Sequence, residues 1–525
     1  MTEHTGQDEI FSFLTGLSRA AGNPRRIDTH ANTVFLGGDR AYKVKRAVKY
    51  PFLDYSTLAL REEACKREIS YNCRNAPDIY LEALPITRET SGDLALSGKG
   101  EPVEWAVVMR RFDDSLQLDL LASAAPLDLE ICDKLARMML GAHEAAPKHP
   151  DKAASFLAEL ESYTRQNEAA FAEHPDLFPP SDAARLTALS HAWLERTGDL
   201  ILKRGGAGLV RLCHGDAHTR NIVLIGNEPV LFDAIEFSDA IATTDTLYDL
   251  AFLLMDLWTR DQKAAANRVF NRYLDHARAC RLEGPEHPDG LATLPFYLSM
   301  RAAIRAKIAA SAAANQQDEE MRMGQQADAR LYFAHALEFL EPSTPCLAGI
   351  GGFSGTGKSH LAYRLAPEIG RAPGARVLRT DVERKARLGL KETDKAPPEA
   401  YTQDASDAVY KALEERARTC LAGGHSVLFD AVLAKPAERE KLQSIAASCE
   451  AGFTGFWLEA DESVLKQRVS GRVGDASDAT AEVIDLQQSY DIGPLGVWVR
   501  IDASGTRQET AEQARKHLLA AADES

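Results

Sequence analysis

Eight consecutive residues, Gly352-Phe353-Ser354-Gly355-Thr356-Gly357-Lys358-Ser359, constrain this chain more than any other stretch. An apolar run from Cys346 to Gly351 precedes them, and a helix-forming run from Lys358 to Leu365 follows. Glycines at that spacing let the backbone curl until successive N–H groups face one point, which is the P-loop pattern. In that pattern Gly352, Ser354, Gly355, Thr356 and Gly357 form the phosphate cradle. Lys358 reaches the β- and γ-phosphates of ATP, and Ser359 offers its hydroxyl to Mg²⁺.

The residues beyond the loop alternate between strand and helix signals. Strands are predicted at 376–380, 426–430 and 455–458, with helices near 401–421 and 461–471. This alternation predicts an α/β P-loop NTPase domain with a parallel sheet. Val427-Leu428-Phe429-Asp430 is an apolar strand ending in an acid, placed to hold the Mg²⁺ shell. Asp381 closes the strand after the first helix, where an acid can orient and deprotonate a substrate hydroxyl, and Arg384 could hold an anionic part of that substrate. Arg468 and Arg472, four apart on a predicted helix, share one face and read as lid arginines; a solvated basic face is the plain alternative. With these residues in view, about 346–505 resembles predicted kinases related to gluconate kinases and zeta toxins.

A second constellation lies upstream: His214-Gly215-Asp216-Ala217-His218-Thr219-Arg220-Asn221. Two histidines four apart invite a zinc reading, but that geometry needs a helix, and Gly215-Asp216 between apolar runs favours a loop. The segment resembles the HGDxHxxN catalytic loop of the aminoglycoside and choline phosphotransferases, relatives of the protein kinases. The resemblance implies that Asp216 accepts the proton of the substrate hydroxyl and that Asn221 binds Mg²⁺. His214 and His218 would then shape the loop. Asp233, ending the short strand Leu231-Phe232-Asp233 twelve residues after Asn221, stands in the place of the kinase metal-binding aspartate. Glu236 follows as a further candidate for metal or substrate, and Asp245 and Asp249 read as structural.

Residues 33–45 read as a hairpin around Gly37-Gly38-Asp39, and its second strand puts Lys43 and Lys45 on one face. Either lysine can pair with nucleotide phosphates; Lys43 is preferred. Glu68, on a helix predicted over 62–75, is the expected ion-pair partner. No GxGxxG loop precedes Lys43; residues 29–33 occupy its place. Met109 to Phe112 would form the hinge between lobes. The resemblance spans roughly 25–340 and implies an α+β, protein-kinase-like domain, with a β-rich small lobe at about 25–112 and a helical large lobe at about 113–340.

Glu341-Pro342-Ser343-Thr344-Pro345 is the expected boundary, because two prolines in five residues end a helix and resist a new one. The expected domains are therefore 1–342 and 343–525, in the order of a bacterial family that fuses an aminoglycoside phosphotransferase-like domain to a P-loop kinase.

Composition narrows the partners. A formal net charge of −16 argues against nucleic acid and anionic membrane as non-specific partners. The polar, acidic first ten residues lack the basic start and apolar run of a secretory signal. Eight scattered cysteines without CxxC pairs read as thiols in a reducing compartment, and a cytoplasmic location is expected. The leading reading is a phosphotransferase with two nucleotide sites, using ATP and Mg²⁺ and acting on hydroxyls of small metabolites. Two others stay open: one kinase regulated by the other module as a nucleotide sensor, and an NTPase or protein-modifying kinase with a macromolecular partner.

Overall fold

The computed structural model describes residues 7–50, 53–279, 290–470, 477, 478 and 480–523. The chain packs as two compact units, one comprising residues 1–127, 141–156 and 208–253, the other 128–140, 157–207 and 254–525.

The first unit is built on a six-stranded antiparallel sheet. Its strands run in the spatial order Arg25–Asp28, Asn32–Gly37, Arg40–Lys45, Glu101–Arg110, Tyr80–Arg88 and Leu94–Leu96. The predicted hairpin forms, with Gly37 paired to Arg40 and Gly38 at φ 57° in the turn. Alternation along Arg40–Lys45 sorts its side chains. Tyr42 and Val44 join Phe35, Ile86, Ala106 and Val108 in a core closed by Ile10, Phe11 and Leu14 of the helix Asp8–Ala21. That helix comes so close that a Cβ on Gly37 would sit 2.5 Å from the Ser18 Cα, so only glycine fits there. Lys43 and Lys45 therefore face the other way. On that side the helix Leu58–Asn72 contributes Cys65 to a cluster with Ile79, Tyr80 and Val107. The helix is capped by Thr57, whose hydroxyl accepts from Leu60 N, and it starts four residues earlier than the sequence predicts. Neither Asp8–Ala21 nor the edge strand Arg25–Asp28 is anticipated from the sequence.

The remainder of this unit carries two short two-stranded sheets. Val210–Leu212 pairs with Thr243–Asp245, and Ile222–Ile225 pairs with Glu228–Leu231 across a turn in which Gly226 and Asn227 both take positive φ. The segment 213–221 is thereby held between two ribbons, as a loop that ends in the 3₁₀ turn Thr219–Asn221 rather than as an α-helix.

The second unit contains a five-stranded parallel sheet, ordered Arg376–Arg379, Val427–Asp430, Cys346–Gly352, Gly452–Glu459, Val499–Asp502. Its inner strands are buried on both faces, which is why they read as continuous apolar runs. The helix Lys358–Leu365 buries Leu361, Ala362 and Leu365 against Ala348, Ile350 and Phe456. The fifth strand, Val499–Asp502, carries no strand signal in the sequence: four residues with alternating charge give no apolar run. Long helices, among them Pro180–Arg204, Lys263–Ala279, Leu294–Ala314 and Glu319–Leu340, belong to the same compact unit. Residues 341–345 lie between the end of Glu319–Leu340 and the strand Cys346–Gly352. Among the described residues no helix is long and apolar enough to cross a membrane.

Candidate active sites

In the first unit the two lysines of Arg40–Lys45 converge on one carboxylate. Lys43 Nζ lies 2.8 Å from Glu68 Oε1, and Lys45 Nζ lies 2.5 Å from Glu68 Oε2. Each lysine has a second acid: Asp233 Oδ1 at 2.7 Å from Lys43, and Glu236 Oε1 at 2.5 Å from Lys45. Burial alone would raise the Glu68 pKa, but the two ammonium groups hold it well below the usual carboxylate range. Burial likewise works against both lysines, and their acids more than compensate, so both remain charged. The pair differ in setting. Lys45 is fully buried, and Glu236 is taken up by it and by the Tyr55 hydroxyl at 3.3 Å. Lys43 meets Asp233, whose side chain is 46% exposed. Lys43 is thus the lysine at the open side of the cluster.

Asp233 adopts φ 62°, a conformation that costs a non-glycine residue about 1–3 kcal/mol. Two side chains hold it there: Asp233 N donates to the Tyr80 hydroxyl at 3.2 Å and Ala234 N to Asn72 Oδ1 at 2.9 Å. Neither residue is detectable as a site residue in the sequence, because each acts through its reach across the fold.

The segment 213–221 is knit to the Asp233 strand by backbone bonds, Phe232 N to Asn221 O at 2.9 Å and Ile235 N to His214 O at 3.0 Å. His214 Nε2 lies 2.9 Å from Phe232 O and its Nδ1 accepts from Asp216 N at 3.3 Å. Burial lowers the His214 pKa, which suits this neutral, Nε2-protonated form. His218 Nδ1 accepts from Arg220 N at 3.2 Å, leaving Nε2 to face Asp216 Oδ2 at 3.3 Å. Asn221 Nδ2 donates to the same Asp216 oxygen at 2.9 Å, so its amide oxygen points away from the acid. Both imidazoles are engaged, by the loop itself and by the neighbouring strand end at Phe232. Beneath it, the buried Asp249 accepts from Gly215 N at 2.8 Å and contacts His143 Nε2 at 3.2 Å. The donor set suits Mg²⁺: the amide oxygen of Asn221 and the carboxylate of Asp233 are hard oxygen ligands.

In the second unit Gly352, Gly355 and Gly357 take φ of 138°, 90° and 92°. A Cβ on Gly352 would lie 2.6 Å from Leu458 O, so the first turn of the loop tolerates no side chain. Gly357 caps the helix Lys358–Leu365. Ser354 N donates to Gln487 Oε1 at 2.7 Å, and the Thr356 hydroxyl turns back onto Phe353 O at 2.8 Å. Lys358 Nζ lies 3.1 Å from Phe353 O, folded over its own loop. Ser359 Oγ donates to Asp430 Oδ2 at 2.5 Å. A hydroxyl and a carboxylate joined in this way are the oxygen pair that a Mg²⁺ shell needs beside a phosphate cradle. Loop and acids face a cavity of about 2000 Å³, larger than a site for one ligand of ordinary size.

Asp381 also lines this cavity, in the first turn of the helix Thr380–Arg387 rather than at the end of a strand. Burial raises its pKa, with Asp430 adding to the effect and Arg379, Arg384 and Lys358 opposing it. Arg384 donates to Ala400 O at 2.6 Å and stacks over the Tyr401 ring. Arg468 reaches the cavity wall, but its guanidinium donates to Ala503 O at 2.7 Å and Gly505 O at 2.9 Å, tying its helix to the end of the fifth strand. Arg472 lies outside the described residues.

Comparison with known proteins gives one family match across the segment 213–233 and another across the P-loop. Residues 96–283 match the family model described as "Phosphotransferase enzyme family", and residues 347–491 match that described as "AAA domain". Uncharacterized proteins of Mycobacterium tuberculosis (strain H37Rv) and Mycobacterium bovis are each 30% identical over 499 residues, spanning 93% of this chain and 94% of the relative. Among solved structures, a gluconokinase from Sinorhizobium meliloti is 23% identical, covering 33% of this chain and 90% of that one, with a TM-score of 0.25. A choline/ethanolamine kinase family protein from Mesorhizobium loti is 16% identical, covering 64% and 99%, with a TM-score of 0.36.

Proposed function

Because the chain belongs to the same family as these mycobacterial proteins, and is by its phosphotransferase and P-loop regions an ATP-dependent kinase, we propose that it carries two separate Mg·ATP sites, each serving phosphoryl transfer to the hydroxyl of a small metabolite. One observation carries the reading: a lysine, a candidate base and a pair of oxygen donors for a metal occur twice. In the first unit these are Lys43, Asp216, and Asn221 with Asp233; in the second, Lys358, Asp381, and Ser359 with Asp430.

Bound Mg·ATP would supply the phosphoryl group and the positive charge that offsets its oxygens. The chain's residues do the rest. Lys43, oriented by Glu68, and Lys358 hold phosphate oxygens. Asp216 takes the proton of an acceptor hydroxyl as the acceptor oxygen bonds to phosphorus and the bond to the β-phosphate oxygen breaks. Asp381 has the same role in the second unit, and its raised pKa makes it a better proton acceptor than an ordinary aspartate. The cytoplasm, where ATP and reduced thiols coexist, is the fitting location.

The test is a metabolite-library screen for ATP-dependent phosphorylation, with Asp216→Asn and Lys358→Ala as controls. Products lost separately in the two variants support two active sites. A product lost in both assigns catalysis to one site and control to the other.

A further inference from the structure

The acid beneath the P-loop is tied by a chain of charges to a helix far from it in sequence. Arg379 Nε lies 3.2 Å from Asp430 Oδ2, the oxygen that also accepts from Ser359. Its Nη1 lies 3.2 Å from Glu392 Oε1. The other oxygen of Glu392 is 2.5 Å from Arg272 Nη1, and Arg272 belongs to the helix Lys263–Ala279. Arg272, Arg379 and Asp430 are each at most 7% exposed at the side chain, and Glu392 is 21% exposed. Arg272 thus sits inside the stretch that matches the phosphotransferase family model, 96–283, yet it lines the cavity of the P-loop.

We infer that Arg272 is a positioning residue of the P-loop site: by neutralising Glu392 it leaves Arg379 on Asp430, and so sets how readily Asp430 accepts a divalent metal. The inference rests on the reading of Asp430 as the acid of a Mg·ATP site.

The physical argument is a competition. One guanidinium, Arg379, stands between two carboxylates. With Arg272 bound to Glu392, that carboxylate is satisfied and its pull on Arg379 is weak. Without Arg272, Glu392 is left as a partly buried anion, and Arg379 is drawn towards it, away from Asp430. Asp430 then presents more negative charge to a metal. Removing Glu392 does the reverse, leaving Arg379 on Asp430 with less to oppose it. Arg272 is itself anchored: Nε lies 3.5 Å from Asp133 Oδ1, an oxygen also 2.6 Å from Arg268, and Nη1 lies 3.7 Å from Asp275. The helix therefore delivers a fixed charge.

The experiment uses the full chain and an acyl-phosphate derivative of ATP, which acylates lysines beside bound phosphates. Peptide mass spectrometry reads Lys358 separately from Lys43 and Lys45 while Mg²⁺ is titrated. Arg272→Gln is expected to lower the Mg²⁺ concentration for half-maximal acylation of Lys358, and Glu392→Gln to raise it, each by at least about threefold. The double variant should return towards wild type, Arg272→Lys should stay near it, and labelling at Lys43 should not move. A merely structural role would shift both single variants in the same direction, and that result, or no shift in either, overturns the inference. Should Arg272→Gln fail to fold, the rise in Glu392→Gln must still appear. Absence of Lys358 labelling in the wild type would instead sink the nucleotide reading of the loop, and this inference with it.

Discussion

Lys45 and Glu236, 191 residues apart, form an ion pair of 2.5 Å in which the lysine is fully buried. The same lysine also neutralises Glu68, so three charges lie in one dry pocket beside the more open Lys43. This separates the two lysines of one strand into different tasks. Lys45→Ala leaves two buried acids short of a partner and is expected to destabilise the first unit by about 3–5 kcal/mol. Lys43→Ala, beside the half-exposed Asp233, should melt nearer to wild type while losing transfer. Thermal denaturation beside nucleotide binding checks the pair; equal destabilisation of both variants would refute the division.

The depressed pKa of Glu68 carries a pH signature. A carboxylate whose folded pKa is lowered adds stability above its unfolded pKa, and that stability is lost as pH falls through the folded value. The Glu68 contribution to the unfolding free energy should therefore be lost progressively as pH falls from the ordinary carboxylate range towards about 2. Glu68→Gln should flatten that acid limb in denaturant titrations across pH, at a cost to stability near neutrality.

Asp216 faces the acceptor rather than ATP in the proposed reaction, so Asp216→Asn should keep nucleotide affinity at the first site and lose transfer by about 10²–10⁴-fold. Binding by titration and initial rates on the same preparation decide it. Near-normal transfer by the folded variant would remove Asp216 from the reaction.

Asp381 is protonated at pH values where an ordinary aspartate is already ionised, because burial raises its pKa. Transfer at the second site should accordingly fall away on the acid side at a higher pH than an unperturbed aspartate would give. Arg384→Ala, which removes an opposing positive charge, should push that limb higher still. Asp381→Ala should abolish transfer yet leave acyl-phosphate labelling of Lys358 intact. A pH–rate profile unchanged in Arg384→Ala would count against Asp381 as the base.

Cutting the chain between Pro342 and Ser343 strips the edge strand of its cover. Asn271 Oδ1 accepts from Val377 N at 2.8 Å and its Nδ2 donates to Ala375 O at 3.1 Å, so one side-chain amide pairs with the strand as a neighbouring backbone would. Arg376, buried, loses Asp275 at 2.6 Å. The 343–525 fragment should therefore be far less stable than the full chain, and Asp275→Ala in the full chain should cost about 3–5 kcal/mol. A cooperative melt of the fragment at the full-chain temperature would overturn this.

What the sequence determined by itself is what contiguous backbone dictates. The glycines of 352–357 force one loop conformation on the residues around them, and the strand that precedes them needs only its apolar run. The alternation in 40–45 sends Lys43 and Lys45 to one face whatever packs there. Asp216 and Asn221 meet because they lie only five positions apart in one loop. The helix Asp8–Ala21 and the strand Val499–Asp502 are not legible in the sequence for the matching reason: short or polar-leading segments gain their stability from the surface they land on, not from local pattern. Glu68 apart, which the sequence offers as the partner of Lys43, tertiary structure decided the charge partners. Which acid Lys45 holds, that Tyr80 and Asn72 keep Asp233 in a strained conformation, and that Arg272 reaches Glu392 across 120 residues all depend on which faces pack together. Opposite charges are interchangeable in a sequence, and only a fixed distance in a poorly solvated interior makes one pairing matter.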